Sequence, residues 1–594
     1  MKAKKKVPIK PKTEWNLKKF YSSPNDPQIE KDVRIAERAY AAFAKKYKNS
    51  KKYISSDKEL FKAIKDQERL SKKTSLGGKA IDYFAYRHEL NSFDTKAEAM
   101  IAKLSNRLTK AGNEVLFFDI VLASTPLKKQ KEFLKSPLLK KYRYLLERTF
   151  IESKYLLSEK EEKIMNLKSL PARSMWVDGR EKLENKKMVA FKGKEIPIAE
   201  AFNKIPHLPT KERRELHKNA IDVLKSISDF AESEINAVFT DKKINDELRG
   251  FKEPYSATIL GYENDEKSIE NLIATVTKDF STSKEFYALK KKLLKLKDFG
   301  YSDRAVSIGE IKKKFTYEGS YKILREIFYG LGKEYGEILD RFVKEGHIDA
   351  FPKKGKSGGA YSSSDHATPT LVLLNHVPSF NSLMTFAHEM GHSIHSELSK
   401  KQGVVYERYT MSVAETASTF FETVVFNAIF ETLSDKEKII ALHDKVQSDI
   451  ATIYRQIAFF NFELELHRKI REEGSVSKEN IADLLNKHMK AYIGPSMKFT
   501  QDDGYFFVTV SHFRRPFYVY SYTYGQLISK ALYKKYQEDP AYVKKIKEFL
   551  SAGGSMNPEK LFASIGLNTS GPKLFKDGLQ SIKKDVELLK KLSK

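Results

Sequence analysis

The chain has 594 residues, more than one hydrophobic core normally supports, so we expect at least two lobes with a cleft between them. It has no cysteine, which excludes disulfides, iron-sulfur clusters, thiolate zinc sites and cysteine nucleophiles, so any metal must bind through histidine and carboxylate groups. The formal net charge is +29, but the lysines are spread along segments such as 290–297, 312–314 and 583–594. We interpret these lysines as solvated surface and predict no nucleic-acid partner.

The amino terminus is rich in lysine and lacks the apolar core of a signal peptide. Six lysines occur in the first twelve residues. No run of about 18 apolar residues occurs in the chain, which is the length a membrane-spanning helix needs. We therefore expect a cytoplasmic protein with no membrane insertion.

Most of the chain has apolar residues three and four apart, the spacing of helices that bury one face. The pattern is clearest in the segments 32–47, 60–70, 96–108 and 321–342. It predicts a mainly α fold.

Extended segments are few. At 187–191 and 370–374, β-branched and aliphatic residues lie between turn formers, which predicts a small sheet among the helices. We expect a boundary near 193–209 that divides an amino-terminal helical region, 1–195, from a catalytic region, 196–594. The segment 353–365 holds three glycines and four serines, so we predict a loop there, as a flexible lip near a cleft.

The segment 378–398 has the apolar stripe of a packed helix and carries a pair of histidines. His388 and His392 are four residues apart, so their Cβ atoms lie about 5 to 6 Å apart on one face and their rings can converge on one ion. Glu389 follows the first histidine and can act as general base toward a metal-activated water. Random placement gives at most about 0.04 such motifs in a chain of this composition. The pattern therefore indicates a catalytic metal site.

A catalytic zinc site needs a third protein ligand, and His395, Glu415 and Glu422 follow the motif. His395 lies seven residues beyond His388, or about 10.5 Å of helical rise, too far for both to reach one ion. We interpret His395 as a residue that packs near the site or orients a ligand.

Glu415 lies in a second predicted helix, 412–425, which begins at Ser412 after a break at Gly403. A turn between antiparallel helices would bring Glu415 beside the histidines and complete a set of two histidines and one glutamate. The alternative is a capping box with Ser412, in which Glu415 only satisfies backbone amides. The residues that would share its helical face and orient the ligands are Ser418, Thr419 and Glu422.

A block rich in histidine and tyrosine occupies residues 511–525. At helical spacing Tyr518 and Tyr522 share one face, and Tyr520 and Tyr524 share another. A phenol can donate a hydrogen bond to a tetrahedral oxyanion. Ordinary aromatic core is the alternative interpretation of this block.

These motifs together resemble the oligoendopeptidase F family, within the thimet-oligopeptidase-like zinc metallopeptidases. The most specific segments are Ala387–His395 and Ala414–Thr419, and the likeness extends over nearly the whole chain through Trp15–Tyr21, Gly358–Tyr361 and Leu371–Asn375. The resemblance implies a two-lobed helical fold of the zincin type. It also implies a small β-sheet beside the active-site helix and a deep substrate channel.

The resemblance also implies roles for individual residues. One zinc ion per chain would bind His388, His392 and Glu415, with Glu389 as the catalytic base. Within the block at 511–525, which is similar to the family's substrate-facing segment, the implied residues are His512, Tyr518 and Tyr522. Family members commonly have tyrosine at the position of Arg514, so the resemblance assigns no role to that side chain.

From this resemblance we expect an endopeptidase that hydrolyses internal bonds of short, unfolded oligopeptides. The extended segment 370–374 is expected to pair with the substrate backbone as an added strand. An alternative is a zinc carboxypeptidase or dipeptidyl carboxypeptidase with the same site, in which Arg514 or Arg515 binds the terminal carboxylate. A second alternative is a basic nucleic-acid-binding protein with a structural zinc.

Overall fold

The computed structural model describes residues 11–594 and consists mostly of helices. The first ten residues, which contain five of the lysines at the amino terminus, lie outside the described part of the chain. Within residues 11–594, no helix combines the length and the apolar character that crossing a bilayer requires. The mainly α fold predicted from the sequence is confirmed.

The amino-terminal helices pack through apolar stripes at helical spacing. The first of them begins at Asp26, whose carboxylate accepts the backbone N–H of Gln28 as an N-cap. The helices of this region are α1 (Pro27–Tyr47), α2 (Asp57–Leu90), α3 (Thr95–Gly112), α4 (Phe117–Ala123), α5 (Leu127–Lys135), α6 (Arg143–Glu152), α7 (Glu159–Ser169) and α8 (Met175–Asn185).

A β-hairpin and a further group of helices follow. The predicted strand at 187–191 is confirmed as β1 (Met188–Phe191), which pairs antiparallel with β2 (Lys194–Pro197). The proposed boundary at residue 195 falls inside β2 of this hairpin, and the division of the chain there stays a prediction. The next helices are α9 (Ile198–Lys204), α10 (Thr210–Lys225), α11 (Ser228–Arg249), α12 (Ser256–Gly261), α13 (Glu266–Lys278) and α14 (Phe280–Leu293).

The segment 321–342, predicted as one helix, lies in two helices. These are α15 (Tyr317–Leu331) and α16 (Lys333–Glu345). Gly332 separates them with an extended backbone, φ 172° and ψ 140°. Glycine loses more conformational freedom in a helix than other residues, so it favours a break at this point.

The small predicted sheet is present, with three strands in the order β3, β5, β4. These are β3 (Ile348–Asp349), β4 (Tyr361–Ser363) and β5 (Leu371–Leu373). Two sequence predictions are wrong here. The end of the loop predicted at 353–365 is strand β4, and β5 is the central strand, parallel to β3 and antiparallel to β4. Both edges of β5 are occupied, so 370–374 cannot accept an added strand.

The remaining helices form the carboxyl-terminal part of the chain, from residue 380 onward. They are α17 (Phe380–Ser399), α18 (Met411–Phe430), α19 (Asp435–Thr452), α20 (Tyr454–Glu473), α21 (Lys478–Ile493), α22 (Tyr520–Glu538), α23 (Val543–Ser551), α24 (Pro558–Ser564) and α25 (Pro572–Leu592).

The largest apolar core runs from the hairpin to α25, and smaller cores lie in the amino-terminal part. One of the smaller cores joins that part to the three-stranded sheet, since Trp15 packs with Leu371 and Leu373. The indole Nε1 of Trp15 donates to the carbonyl of Val372 at 2.7 Å. One surface prediction is wrong, because Lys290 is fully buried and its ammonium donates to the carbonyl of Arg304.

Candidate metal centre

Helix α17 carries the histidine pair on the side that faces α18. Its first turn is capped by Ser379, whose hydroxyl accepts the backbone N–H of Ser382 at 3.2 Å. The rings of His388 and His392 have centroids 5.0 Å apart. The spacing of four residues therefore places both imidazoles together, as the sequence predicts.

Glu415 lies within α18, and the capping-box interpretation of this residue is wrong. The helix begins at Met411 with Thr410 as N-cap, so Ser412 lies inside the first turn. The hydroxyl of Ser412 lies 2.9 Å from that of Thr410 instead of capping a backbone amide. The carboxylate of Glu415 is thus left to face the histidines.

Two glycines allow close approach of the helices that flank Glu415. A Cβ at Gly391 of α17 would lie 2.7 Å from the Cα of Ser418, and a Cβ at Gly525 of α22 would lie 2.8 Å from the Cβ of Glu415. Neither position tolerates a larger side chain without a shift of its neighbours. The sequence does not predict this role directly, although Gly525, inside a helix of large side chains, is an indication of a close contact.

The three side chains bring one nitrogen or oxygen atom each to a common point. Nε2 of His388 and Nε2 of His392 lie 3.4 Å and 3.7 Å from Oε2 of Glu415. All three potential ligand atoms lie within 4.8 Å of one another. Tetrahedral ligands about 2.1 Å from zinc are about 3.4 Å apart, so the spacing of this group fits one zinc ion.

The pKa values show how strongly these groups interact. Burial opposes the charge on His388, but hydrogen bonds to Glu415 and Glu422 raise its pKa well above the ordinary value. Burial, together with the charge on His388, lowers the pKa of His392 to about 4. Burial alone would raise the pKa of Glu415, yet its histidine partners lower it to about 2. A neutral imidazole and an ionised carboxylate are the forms that bind a metal.

Further contacts hold the ligands in place, and they involve the residues predicted from the sequence. Nδ1 of His388 lies 2.9 Å from Oε2 of Glu422, so this carboxylate can fix the ring tautomer that leaves Nε2 free. The hydroxyl of Ser418 donates to Oε2 of Glu415 at 3.2 Å. The hydroxyl of Thr419 donates instead to the backbone carbonyl of Glu415 at 2.6 Å.

Glu389 is buried next to the metal group. Burial raises its pKa to about 7, with the nearby charge on His388 acting in the opposite direction. Its Oε2 atom has no hydrogen-bond partner within residues 11–594. A buried carboxylate oxygen without a partner is costly, which fits a group that acts on a bound water.

His395 packs away from the metal group, as its helical rise predicts. Its ring stacks on Tyr409 with centroids 3.6 Å apart and an interplanar angle of 6°. Both ring nitrogens lack hydrogen-bond partners among the described residues. Burial lowers its pKa to about 3, so the imidazole is neutral.

Two cavities meet at the metal group. One, of about 980 Å³, is lined by His388 and Glu389 and extends toward α19 and α20. The other, of about 610 Å³, is lined by the same two residues together with Glu415 and strand β4. A ligand can therefore extend from the metal group in two directions.

His512, Tyr518 and Tyr522 form one cluster. The phenol of Tyr518 is hydrogen-bonded to Nδ1 of His512. The ring of Tyr522 lies 5.7 Å from that of Tyr518 and 6.2 Å from that of His512. Tyr522 is one helical turn before Gly525, the residue that contacts Glu415, so the cluster and the metal group are joined through α22.

The other two tyrosines of this block lie in the core. Tyr520 donates to Asn264, and the ring of Tyr524 lies 6.0 Å from that of Phe562. The block is anchored at Phe517, which has a left-handed backbone with φ of 56°. Its N–H donates to the buried carboxylate of Glu463 at 2.8 Å. This contact stabilises a backbone conformation that residues other than glycine rarely adopt.

Arg514 is a structural residue. Its guanidinium pairs with both carboxylate oxygens of Glu234, at 2.9 and 2.6 Å. Its Nη1 donates to the carbonyls of Phe507 and Val510. The side chain is buried with its donors in use, so the expectation that it binds a substrate carboxylate is wrong. Arg515, in contrast, is exposed and lies over the ring of Tyr518.

Comparison with known proteins places these features in a family. The family model described as peptidase family M3 matches residues 210–580, and the model described as oligopeptidase F matches residues 122–179. The first match contains the histidine pair, Glu415 and the tyrosine block.

Individual relatives agree with these matches. The chain is 26% identical to oligopeptidase PepF of Bacillus subtilis over 98% of this chain and 88% of the relative. It is 28% identical to an oligoendopeptidase F homologue of Borreliella burgdorferi over 82% of this chain and 84% of the relative.

Crystal structures of other proteins share the fold. A Chlamydophila abortus protein assigned as a peptidase matches with a TM-score of 0.82 at 21% identity, over 98% of this chain and 99% of that one. Oligoendopeptidase F of Enterococcus faecium matches with a TM-score of 0.70 at 16% identity, over 95% and 99%.

Proposed function

The chain belongs to peptidase family M3, and we propose that it is a zinc-dependent endopeptidase that hydrolyses internal bonds of short, unfolded oligopeptides. The observation that carries the proposal is the convergence of His388, His392 and Glu415, with atom spacings that suit one zinc ion. Buried Glu389, directly beside this group, supports hydrolysis in preference to a purely structural metal.

The chemistry divides among a few groups. Bound zinc would supply a Lewis acid and lower the pKa of its bound water to roughly 7. Glu389 takes a proton from the attacking water and passes it to the leaving amine. His512, through its Nε2–H, and Tyr522 are proposed to donate hydrogen bonds to the oxygen of the scissile carbonyl as negative charge develops on it. Tyr518 is proposed to donate to Nδ1 of His512 and so to fix the tautomer with the proton on Nε2.

Strand β4 is the proposed binding edge for the peptide. It is an edge strand of the three-stranded sheet, and it lines the cavity that also contains Glu389. The hydroxyl of Ser362 in β4 lies 2.9 Å from that of Ser393 in α17, which connects the strand to the metal helix. Pairing through backbone groups accepts many sequences with little side-chain discrimination.

Cleavage of internal bonds is supported over removal of terminal residues. A carboxypeptidase binds a free carboxylate in a cleft that ends just beyond the reacting bond. Here cavities extend from the metal group in two directions, and Arg514 is paired with Glu234. We also propose that residues 196–594 carry out the chemistry, with 1–195 as an amino-terminal helical region, in a cytoplasmic protein.

Peptide hydrolysis combined with metal analysis tests this function. We expect Glu389→Gln to retain about one zinc per chain and to lose activity by a factor of about 10² to 10⁴. Glu415→Gln is expected to lose the metal as well as the activity. The control is Glu431→Gln, which changes an exposed glutamate at the end of α18 and should leave both unchanged. Full activity in Glu389→Gln refutes the proposed role of that residue.

A further inference from the structure

The larger cavity beside the metal group is lined by charged side chains of both signs. Four are cationic, which are Arg304, Lys445, Arg455 and Lys530, and five are acidic, which are Glu310, Glu389, Glu422, Asp444 and Asp449. A cation in a partly buried site normally has an acidic partner, because removing it from water is costly. A cationic side chain of this cavity that has no acidic partner in the protein is therefore a candidate to bind a negatively charged group of a ligand.

The two lysines are paired within the protein. The ammonium of Lys530 lies 2.8 Å from Oδ2 of Asp449, and that of Lys445 lies 3.5 Å from the same oxygen. Lys445 also forms an ion pair with Asp585. These cations are neutralised and leave no charge for a ligand.

The two arginines lack such partners. Across residues 11–594, no carboxylate lies within ion-pair distance of Arg304 or Arg455, and the Nε atom of each is buried without a hydrogen-bond partner. Their neighbours are aromatic. Arg304 lies over the ring of Tyr301 at 5.0 Å, and Arg455 lies over that of Phe459 at 5.8 Å.

The two arginines carry like charges and line one cavity. Burial, followed by the positive charge of Arg304, lowers the pKa of Arg455. Arg455 is also the second residue of α20, where the positive end of the helix dipole adds to the field. The acidic groups of the lining other than Glu389 have other partners. Asp449 pairs with the two lysines, Glu422 with His388, and Asp444 accepts from His443 and Ser307. Glu310 lies 3.9 Å from Lys314. The cavity therefore holds two guanidinium groups that form no ion pair with a carboxylate of the described residues.

Arg455 also lies near the proposed oxyanion cluster. Burial and then the charge of Arg455 lower the pKa of His512 to about 4. The arginine pair belongs to the same cleft as the metal group, because the cavity that it lines is also lined by His388 and Glu389. Guanidinium groups match carboxylates in shape and can bind them through paired hydrogen bonds.

We propose that Arg304 and Arg455 form a subsite that binds a carboxylate of the peptide, so that substrates with a carboxylate at one fixed distance from the scissile bond are preferred. The inference rests on the proposed peptidase function and specifies its substrate class. The carboxylate comes either from the free terminus of a short peptide or from an Asp or Glu side chain.

Peptide binding to zinc-loaded Glu389→Gln tests the subsite without hydrolysis. One fluorescent peptide is prepared with a free or an amidated carboxyl terminus, and the amidated form is then varied with a single Glu or Gln moved along the sequence. We expect one carboxylate position to bind about 10- to 100-fold more tightly than its amide partner, as judged by fluorescence anisotropy. The free-terminus pair and the Glu/Gln pairs distinguish the two sources of the carboxylate.

Variants of the arginines then assign the preference to the subsite. Adding Arg304→Gln and Arg455→Gln to the Glu389→Gln parent should bring the ratio of affinities for the carboxylate peptide and its amide partner close to 1. Arg455→Lys keeps the charge but not the planar guanidinium group, so it should lower this affinity ratio only in part. Arg468→Gln, an exposed change on the same helix, should leave the ratio unchanged. If the double variant does not fold, Arg455→Glu provides the same test, because it should favour a peptide with Lys at that position.

Two results would overturn the inference. One is the absence of a carboxylate preference at every position, and the other is an equal preference in the parent and the arginine variants. Hydrolysis of the neutral peptide by the zinc-loaded wild-type chain is measured separately. Its absence would refute the peptidase proposal, while the binding ratio would still decide the role of the arginines.

Discussion

Oε2 of Glu422 lies 2.9 Å from Nδ1 of His388, on the side of the imidazole opposite the nitrogen that faces Glu415. A carboxylate in this place fixes the ring and makes its other nitrogen a better ligand. We expect Glu422→Gln to weaken zinc affinity by about 10- to 100-fold, measured by competition with a chelator. Glu431→Gln, at the exposed end of the same helix, is the matched control and should bind zinc normally. Equal affinity in both variants would mean that Glu422 does not support the ligand.

The glycine in the metal helix sets the distance between α17 and α18. In Gly391→Ala the new methyl group would lie 2.7 Å from the backbone of Ser418, so the helices must separate. We expect a loss of about 1 to 3 kcal/mol in the free energy of unfolding and weaker zinc binding. The control is Gly330→Ala in α15, where nothing lies within 4 Å of the added Cβ. It should stabilise the protein by up to about 1 kcal/mol, and thermal melting should show opposite shifts for the two variants.

The buried pair of Arg514 and Glu234 is predicted to contribute to stability and not to substrate binding. Arg514→Gln leaves the carboxylate of Glu234 with weaker pairing in the core, so we expect a loss on the order of 3 kcal/mol. Arg515→Gln, one residue along and exposed, should change the melting temperature little. A normal melting temperature in Arg514→Gln, together with lost discrimination between free and amidated peptide termini, would contradict this assignment.

His512 is predicted to remain neutral in the physiological range. Burial is the main cause that lowers its pKa to about 4, and the positive charge of Arg455 contributes in the same direction. The ring is therefore protonated only when the pH falls toward that value. In spectra of protein with ¹³C-labelled histidine, the resonance lost in His512→Gln should not titrate between roughly pH 8 and pH 5. Arg455→Gln removes a positive charge and should raise this pKa. A titration midpoint near pH 6.5 for His512 in the wild-type chain would contradict a pKa of about 4.

Access to the metal group is predicted to limit the substrates. The group lies where two cavities meet, and Glu389 is only 6% exposed. We expect the same cleavage sequence to be cut at least about 100-fold more slowly in a folded protein than in a short peptide, because the folded segment must first open. Comparable rates on both substrates would show that the cleft is more open than proposed.

The features of the site that the sequence predicts correctly depend on the spacing of residues along a single helix. The separation of His388 and His392, the displacement of His395 and the common face of Glu415 and Glu422 all follow from 3.6 residues per turn. Such relationships are local, so they are determined before the helix packs against anything else.

The predictions that were wrong depend on contacts between distant segments. The pattern at 370–374 indicates a strand but not its neighbours, and both edges of that strand are occupied. Lys290 lies in a lysine-rich stretch yet is buried, since it reaches the carbonyl of Arg304. The partner of Arg514 is Glu234, 280 residues away in sequence. Pairings of this kind leave no local pattern in the sequence.

The hydrogen bond from Trp15 to the carbonyl of Val372 bears on how the chain can be divided. Trp15 covers the face of the sheet formed by Leu371 and Leu373, and the same sheet contributes β4 to the cleft. A chain begun at residue 196 would keep every proposed zinc ligand but would expose this apolar face to water. The proposed catalytic region therefore obtains part of its solvent shield from the first residues that the structure describes, so we expect residues 196–594 to fold less stably when they are produced without the amino-terminal region.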